Sequence, residues 1–311
     1  MTYVMLIAGL VLLLIGGEVL VRGAVRMAQR FQIPTMIIGL TIVSFGTSAP
    51  ELLVSLKAAT QGVPDIAIGN VIGSNIANLA LVLGLTAIIL PIPVARKTLT
   101  LDWPVMMGAT LLFWAFMANH MIGRIEGLIL FGSLLAYIGY LIRQARITRK
   151  RSAADSTEAP REIAGAIWQD LLMVAGGCIG LVFGADLLVD GATETARDWG
   201  VSERVIGVTV VAFGTSVPEL ATSLVAAIKK ELDISVGNLI GSNIFNILSI
   251  IGITAIVHDI PVNPAVLAVD IFWVLAVTVM VLLLALIRFE LKWWKGALLF
   301  LAYCAYVYLL F

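Results

Sequence analysis

The sequence predicts an all-α polytopic membrane protein with ten transmembrane helices in two inverted-topology five-helix repeats. Three observations predict it. Of 311 residues, 60% are hydrophobic and only 13% charged, against about 45–50% and about 25% in soluble domains. Apolar runs of the roughly 20 residues needed to cross about 30 Å of hydrocarbon fill nearly the whole length. The second half repeats the first at an offset of 168 residues: from Ile38 to Asn78, roughly 25 of about 41 positions match 206–246 without a gap, and such a period marks an internal structural repeat. Third, basic residues alternate by side, as the positive-inside rule requires of an oriented bundle.

The expected spans are 3–25, 34–60, 65–92, 101–118 and 122–142, then 168–195, 202–228, 233–257, 265–288 and 293–311. The first repeat is thus 1–142, the second 168–311, and a polar linker of about 25 residues, 143–167, joins them. Met1–Gly17 could pass for a secretion signal, but it lacks a basic start and has an uncleaved counterpart, so it reads as the first span. The first span obeys the offset too: Gly16-Gly17-Glu18 through Gly23-Ala24 matches Gly184-Ala185-Asp186 through Gly191-Ala192. Five helices per half is an odd number, so the second half enters the membrane from the opposite side. With the N-terminus outside, inside connections hold Arg22, Arg26, Arg30, Arg96, Lys97, the arginines and lysine of 143–161, Lys229, Lys230, Arg288, Lys292 and Lys295. Outside lie only Lys57, Arg124, Arg197 and Arg204. Both termini are therefore expected outside, the linker in the cytoplasm, and the protein in the cell (inner) membrane. The net charge of zero points to no nucleic-acid partner, and nothing predicts a protein partner or a cofactor. Cys178 and Cys304 read as small buried apolar residues, His120 and His258 as interfacial ones.

Within this apolar chain Glu51 and Glu219 are the costly residues. An acid at membrane depth is a functional-site candidate by default. Both occur in one phrase, Gly46-Thr47-Ser48-Ala49-Pro50-Glu51 and Gly214-Thr215-Ser216-Val217-Pro218-Glu219. Polar motifs in corresponding helices of inverted repeats mark a secondary transporter, with its site near the midplane. Pro50 and Pro218 lack an N–H, so each helix should loosen and free carbonyls around Ser44–Thr47 and Ala212–Thr215. Thr47 and Glu51 share a helix face, as do Thr215 and Glu219. Spans 3 and 8 add Ser74, Asn75 and Asn78, and Ser242, Asn243 and Asn246. Hydroxyls, carbonyls and carboxylates form a hard oxygen shell that suits Na⁺ and Ca²⁺. Gly69 and Gly73, like Gly237 and Gly241, form GxxxG pairs that permit close helix approach. Asp65 and Asp233 read as helix N-caps. Glu18 can pair with Arg22, whereas Asp186 faces Asp190.

The doubled Gly-Thr-Ser-x-Pro-Glu and Gly-Asn-x-Ile-Gly-Ser-Asn-Ile motifs resemble the alpha repeats of the sodium/calcium exchanger family, within the cation/Ca²⁺ antiporter superfamily. The resemblance implies an antiporter, not an enzyme, that exports Ca²⁺ against Na⁺ entry, usually three Na⁺ per Ca²⁺. It assigns Ca²⁺ to Glu51, Glu219 and the backbone oxygens of Thr47 and Thr215. It assigns Na⁺ to Ser48, Ser216, Ser74, Ser242 and the backbone oxygens of Ser44 and Ala212, and a middle position to Asn78 and Asn246. Some archaeal members carry aspartate where this chain has Asn246, so the formal charge here rests on the two glutamates. The short linker lacks the cytosolic Ca²⁺-sensing insert of animal exchangers, which suggests a prokaryotic-type member. By the same analogy, spans 1 and 6 are candidates for a moving pair in alternating access. A Ca²⁺/H⁺ antiporter is the rival expectation, because closely spaced buried carboxylates hold protons tightly. A channel or a membrane-embedded sensor is a third reading. Ca²⁺, Na⁺ (H⁺ on the rival reading) and the lipid bilayer are the expected partners.

Overall fold

The computed structural model describes residues 2–63, 65–155, 165–200 and 212–309. It is almost wholly helical. In chain order come α1 (Thr2–Phe31) and a bent pair, α2 (Thr35–Thr47) and α3 (Ala49–Thr60), which meet at 44°. α4 follows, built of Asp65–Ile76, a π-helical stretch Ala77–Val82 and Leu83–Ile89. Then come α5 (Thr98–Met117), α6 (Arg124–Asp155) and α7 (Ile167–Asp198). A short helical turn, Ala212–Gly214, precedes α8 (Val217–Ile228). The chain ends with α9 (Leu232–Val257), α10 (Val266–Leu286) and α11 (Trp293–Leu309). Among the described residues seven helices are long and apolar enough to span, and the bent pair makes an eighth. α11 is apolar but has 17 residues, and α8 continues a predicted span whose residues 202–211 lie outside the described residues.

Several ends differ from the sequence expectation. α1 runs on to Phe31, with Arg22 exposed on its last turns and Arg26 and Arg30 paired with Asp170 of α7. It stops only at Gln32, whose φ is 54°, just before Pro34. α6 continues to Asp155 rather than ending at 142, since this part of the polar linker has no Gly or Pro and is rich in Arg, Lys and Ala. α7 ends at a left-handed Gly200, φ 77°. Asp233 is not an N-cap: Glu231 holds that position, without a side-chain cap, and Asp233 lies in the first turn, where it complements the helix dipole. Cys304 is exposed rather than buried, on the apolar surface of α11, while Cys178 is partly buried against Gly46.

The halves interlock through four two-residue strands. β1 (Ile92–Pro93) pairs antiparallel with β4 (Glu290–Leu291), and β2 (Met121–Ile122) with β3 (Ile260–Pro261). Each pairing joins connections that the charge pattern assigned to one side. β1 and β3 stand in corresponding places of the two repeats yet lie in different pairings, as inversion requires. The π-helical stretches also recur, Thr98–Asp102 with Val266–Asp270 and Ala77–Val82 with Asn246–Ile251.

α1 and α7 cross antiparallel on a ladder of glycines. A Cβ on Gly9 would lie 2.7 Å from the Leu188 nitrogen, and one on Gly177 would lie 2.6 Å from the Leu20 nitrogen. Only glycine allows backbones this close. At one end Arg26 and Arg30 (2.7 Å) both grip buried Asp170; at the other Thr2 donates to Glu194 (3.0 Å). α4 and α9 occupy the centre: 78% and 83% of their apolar windows are buried by protein, against 28–33% for the other long spans. The motif helices α2, α3 and α8 pack around them.

Candidate cation site

The two phrases break their helices at corresponding places. α2 ends at Thr47, Ser48 turns the chain (φ −87°, ψ 6°), and Pro50 opens α3 where its missing N–H costs nothing. Ser216 repeats the turn (φ −89°, ψ 0°), with Pro218 opening α8. Each glutamate thus enters in the first turn of a helix, where the dipole favours an anion. The Ser44 carbonyl, expected to be free, still accepts from the Ser48 nitrogen at 2.9 Å and has the Thr47 hydroxyl 3.3 Å away.

Glu51 and Glu219 are both fully buried. Ser48 Oγ donates to Glu219 Oε1 at 3.2 Å. Among the described residues, Glu219 Oε2 and both carboxylate oxygens of Glu51 have no partner. Thr47 Oγ1 donates to Asn238 Oδ1 (3.1 Å) and lies 3.4 Å from Ser242 Oγ. Ser44 Oγ donates to the Gly39 carbonyl (2.7 Å) and lies 3.0 Å from the Asn238 carbonyl. Ser74, Ser216, Ser242, Asn78 and Asn246 are all buried. Asn246 Nδ2 donates to Asn75 Oδ1 (3.1 Å), and Asn75 Nδ2 to the Asn243 carbonyl (3.4 Å). Asn75 therefore ties α4 to α9, while the Asn243 side chain donates to the Leu239 carbonyl within α9 (2.7 Å) and its Oδ1 has no partner among the described residues. Thr215 is only half-buried and lines a cavity of about 310 Å³ with Pro50, Pro218, Asp186 and Asp190. Ala212 contributes a backbone at the entry to this break, and its side chain lies outside the described residues.

Among the described residues, eight of the twelve buried side-chain polar atoms without a partner belong to predicted site residues, seven oxygens and the Asn78 amide nitrogen, on Glu51, Glu219, Ser74, Ser216, Asn78 and Asn246. Buried polar groups are ordinarily paired, and an unpaired buried carboxylate is more costly still. A concentration of orphaned oxygens around two carboxylates is the donor set a dehydrated hard cation needs. Among the described residues the one buried lysine, Lys295, is spent elsewhere; its Nζ donates to the carbonyls of Leu284 (2.8 Å), Ile287 and Glu290 at and beyond the end of α10.

A model of the family described as sodium/calcium exchanger protein matches residues 1–144 and 170–311. The chain belongs to the sodium/calcium exchanger family. Its members among similar proteins include the putative antiporter CaxA of Alkalimonas amylolytica, 38% identical over 99% of this chain and 98% of that one. The sodium/calcium exchanger MaX1 of Methanosarcina acetivorans is 30% identical over 99% and 98%. A solved structure of the sodium-calcium exchanger NCX_Mj superposes with a TM-score of 0.83 at 30% identity, covering 99% of this chain and 97% of that one. As an exchanger-family protein the chain is a multi-pass membrane cation/Ca²⁺ antiporter rather than an enzyme.

Sequence reasoning overlooked two asparagines inside its own motif. Asn70 Nδ2 donates to Ser55 Oγ (3.1 Å) and to the Glu51 carbonyl (3.2 Å); Asn238 Nδ2 donates to Ser223 Oγ (3.2 Å). The offset could have found them, since each serine stands one turn beyond a motif glutamate in both halves. The expected close approach of the GxxxG pairs occurs at Gly237 and Gly241, which face Met36 and Leu40. Nothing among the described residues approaches Gly69 or Gly73; the counterparts of Gly39 and Leu40, residues 207 and 208, lie outside them. Glu18 pairs with Arg22 and with Lys229 (2.6 Å), so it is a neutralised surface group.

Proposed function

We propose that the protein exchanges Na⁺ for Ca²⁺ by alternating access, three Na⁺ for one Ca²⁺, at a single site built on Glu51 and Glu219. The observation that carries this reading is the buried carboxylate pair, surrounded by orphaned oxygens and free of any lysine or arginine partner among the described residues. Two carboxylates balance one Ca²⁺. Thr47 and Thr215 contribute backbone oxygens to it. Ser48, Ser216, Ser74, Ser242 and the carbonyls of Ser44 and Ala212 serve Na⁺, and Asn78 and Asn246 the middle position. Without a cation, two carboxylates about 5 Å apart repel by roughly 3 kcal/mol at an effective dielectric of about 20. The vacant site therefore switches sides slowly, and shared ligands make the two cations exclude each other. The repeats are 1–142 and 168–311, joined by a cytoplasmic linker 143–167, in the inner membrane with both termini outside; the distribution of Lys and Arg supports this orientation.

The test is ⁴⁵Ca²⁺ uptake into everted vesicles. An outward Na⁺ gradient should drive it, and an inside-negative potential should change its rate, because three Na⁺ carry one charge more than Ca²⁺. Uptake driven by a pH gradient without Na⁺ would replace this reading with Ca²⁺/H⁺ exchange. Flux without countertransport would indicate a channel.

A further inference from the structure

The two halves are related residue by residue, yet two of their hydrogen bonds are not. Thr47 and Asn238 correspond, at the offset of 168, to Thr215 and Asn70. The first pair is joined: Thr47 Oγ1 donates to Asn238 Oδ1 at 3.1 Å, in a fully buried setting. No bond joins the second pair among the described residues; Asn70 grips Ser55 and the Glu51 carbonyl, and Thr215 faces the cavity beside Asp186. Ser48 and Glu219 are bonded (3.2 Å), whereas their counterparts, Ser216 Oγ and the Glu51 carboxylate, have no partner among the described residues. Both bonds that are made tie the first-half break, Thr47-Ser48, to helices of the second half.

Asn238 is placed to transmit this tie. Its Oδ1 accepts from Thr47, its Nδ2 donates to Ser223 one turn beyond Glu219, and its carbonyl lies 3.0 Å from Ser44 Oγ. One side chain thus spans the Thr47 break and the helix that carries Glu219. The contact Asn70–Ser55 shows that the mirror-related asparagine already holds the equivalent serine and needs only Thr215 to complete the same set.

We propose that Asn238 and Asn70 are positioning residues that act in turn: the Thr47–Asn238 bond holds the access state seen here, closed at Thr47 and open at Thr215, and a Thr215–Asn70 bond holds the opposite state. This rests on the alternating-access reading above. Inverted repeats adopt mirror-related conformations in their two states, so a bond made on one side here is made on the other after the switch. Losing a buried hydrogen bond shifts a two-state balance by roughly three- to tenfold. The apparent affinity on each side scales with the population of the state open to that side.

The experiment is Ca²⁺:Ca²⁺ exchange in right-side-out and everted vesicles, read as half-saturating Ca²⁺ on each face. Asn238→Ala should raise the half-saturating Ca²⁺ on the Thr215 side relative to the other, and Asn70→Ala should lower that ratio. Thr47→Val, which removes the donor of the cross-half bond together with the hydroxyl's longer contacts to the Ser44 carbonyl and Ser242, should shift the ratio in the same direction as Asn238→Ala. A residue needed only for folding would lower the amount of active protein and leave the ratio unmoved. Ratios that stay at the wild-type value, or move the same way in Asn238→Ala and Asn70→Ala, would overturn the inference. Wild-type vesicles without saturable exchange would overturn the functional reading and this inference with it, and that outcome is visible before any variant is made.

Discussion

Glu51 and Glu219 occupy identical sequence phrases but different surroundings. Glu219 accepts a hydrogen bond from Ser48 and lies on the side where Thr47 is buried and bonded; Glu51 has no partner for either oxygen among the described residues, and Thr215 opens to a cavity. The α1–α7 crossing behaves otherwise, because Gly9 against Leu188 and Gly177 against Leu20 meet the same backbone at the same closeness. Duplication is therefore kept where helices pack and broken where an ion would pass. On the proposed alternating-access reading, two mirror-related environments cannot both be closed if only one face is to be open, which assigns the asymmetry to the access state rather than to the sequence.

The largest expected effect treats the two acids as equals. Glu51→Gln and Glu219→Gln should each lower Ca²⁺ flux in proteoliposomes by about 100-fold or more, with normal membrane insertion, since either change leaves one charge against a divalent ion; each lost charge interaction is worth upward of about 3 kcal/mol. Full activity in one variant would show that only one half carries the site. Next comes the symmetric crossing. Gly9→Val and Gly177→Val should each lower stability in detergent by about 1–3 kcal/mol, and by similar amounts, through forced separation of α1 and α7; unequal thermal shifts would break the claim that packing is symmetric. The two ends of that crossing should differ. Asp170→Asn, which strips a buried partner from Arg26 and Arg30, should cost about 1–2 kcal/mol, against a few tenths for Glu194→Gln in its exposed bond to Thr2. Smallest, Ser48→Ala should destabilise the cation-free protein by about 1 kcal/mol, whereas Ser216→Ala should be near neutral. Equal effects there would remove the asymmetry from the site itself.

Much of this was legible in the chain. Composition and the offset of 168 imply ten spans and an inverted pair, and Pro50 and Pro218 mark where α2–α3 and the approach to α8 break. The charge pattern assigned to common sides the connections that β1–β4 and β2–β3 bring together. Helix ends were less legible: α1 and α6 run past the hydrocarbon because arginine-rich turns stay helical in water, and a hydropathy pattern registers only where apolarity stops. Asn75 read as an oxygen donor to an ion, yet its Oδ1 accepts from Asn246 and its amide donates to the Asn243 carbonyl. Lys295 read as a loop cation, but three carbonyls at and beyond the end of α10 draw it inside. The broken symmetry at Thr47 and Thr215 lay beyond reach, since identical phrases cannot say which side is open.

The most direct test of the central claim, that two glutamates from two repeats form one site, is the stoichiometry of Ca²⁺ bound to the purified protein in Na⁺-free solution, measured by titration calorimetry. The account predicts one Ca²⁺ per chain at this site, lost in Glu51→Gln and lost equally in Glu219→Gln. Two Ca²⁺ per chain, with each single variant keeping one at unchanged affinity, would contradict it.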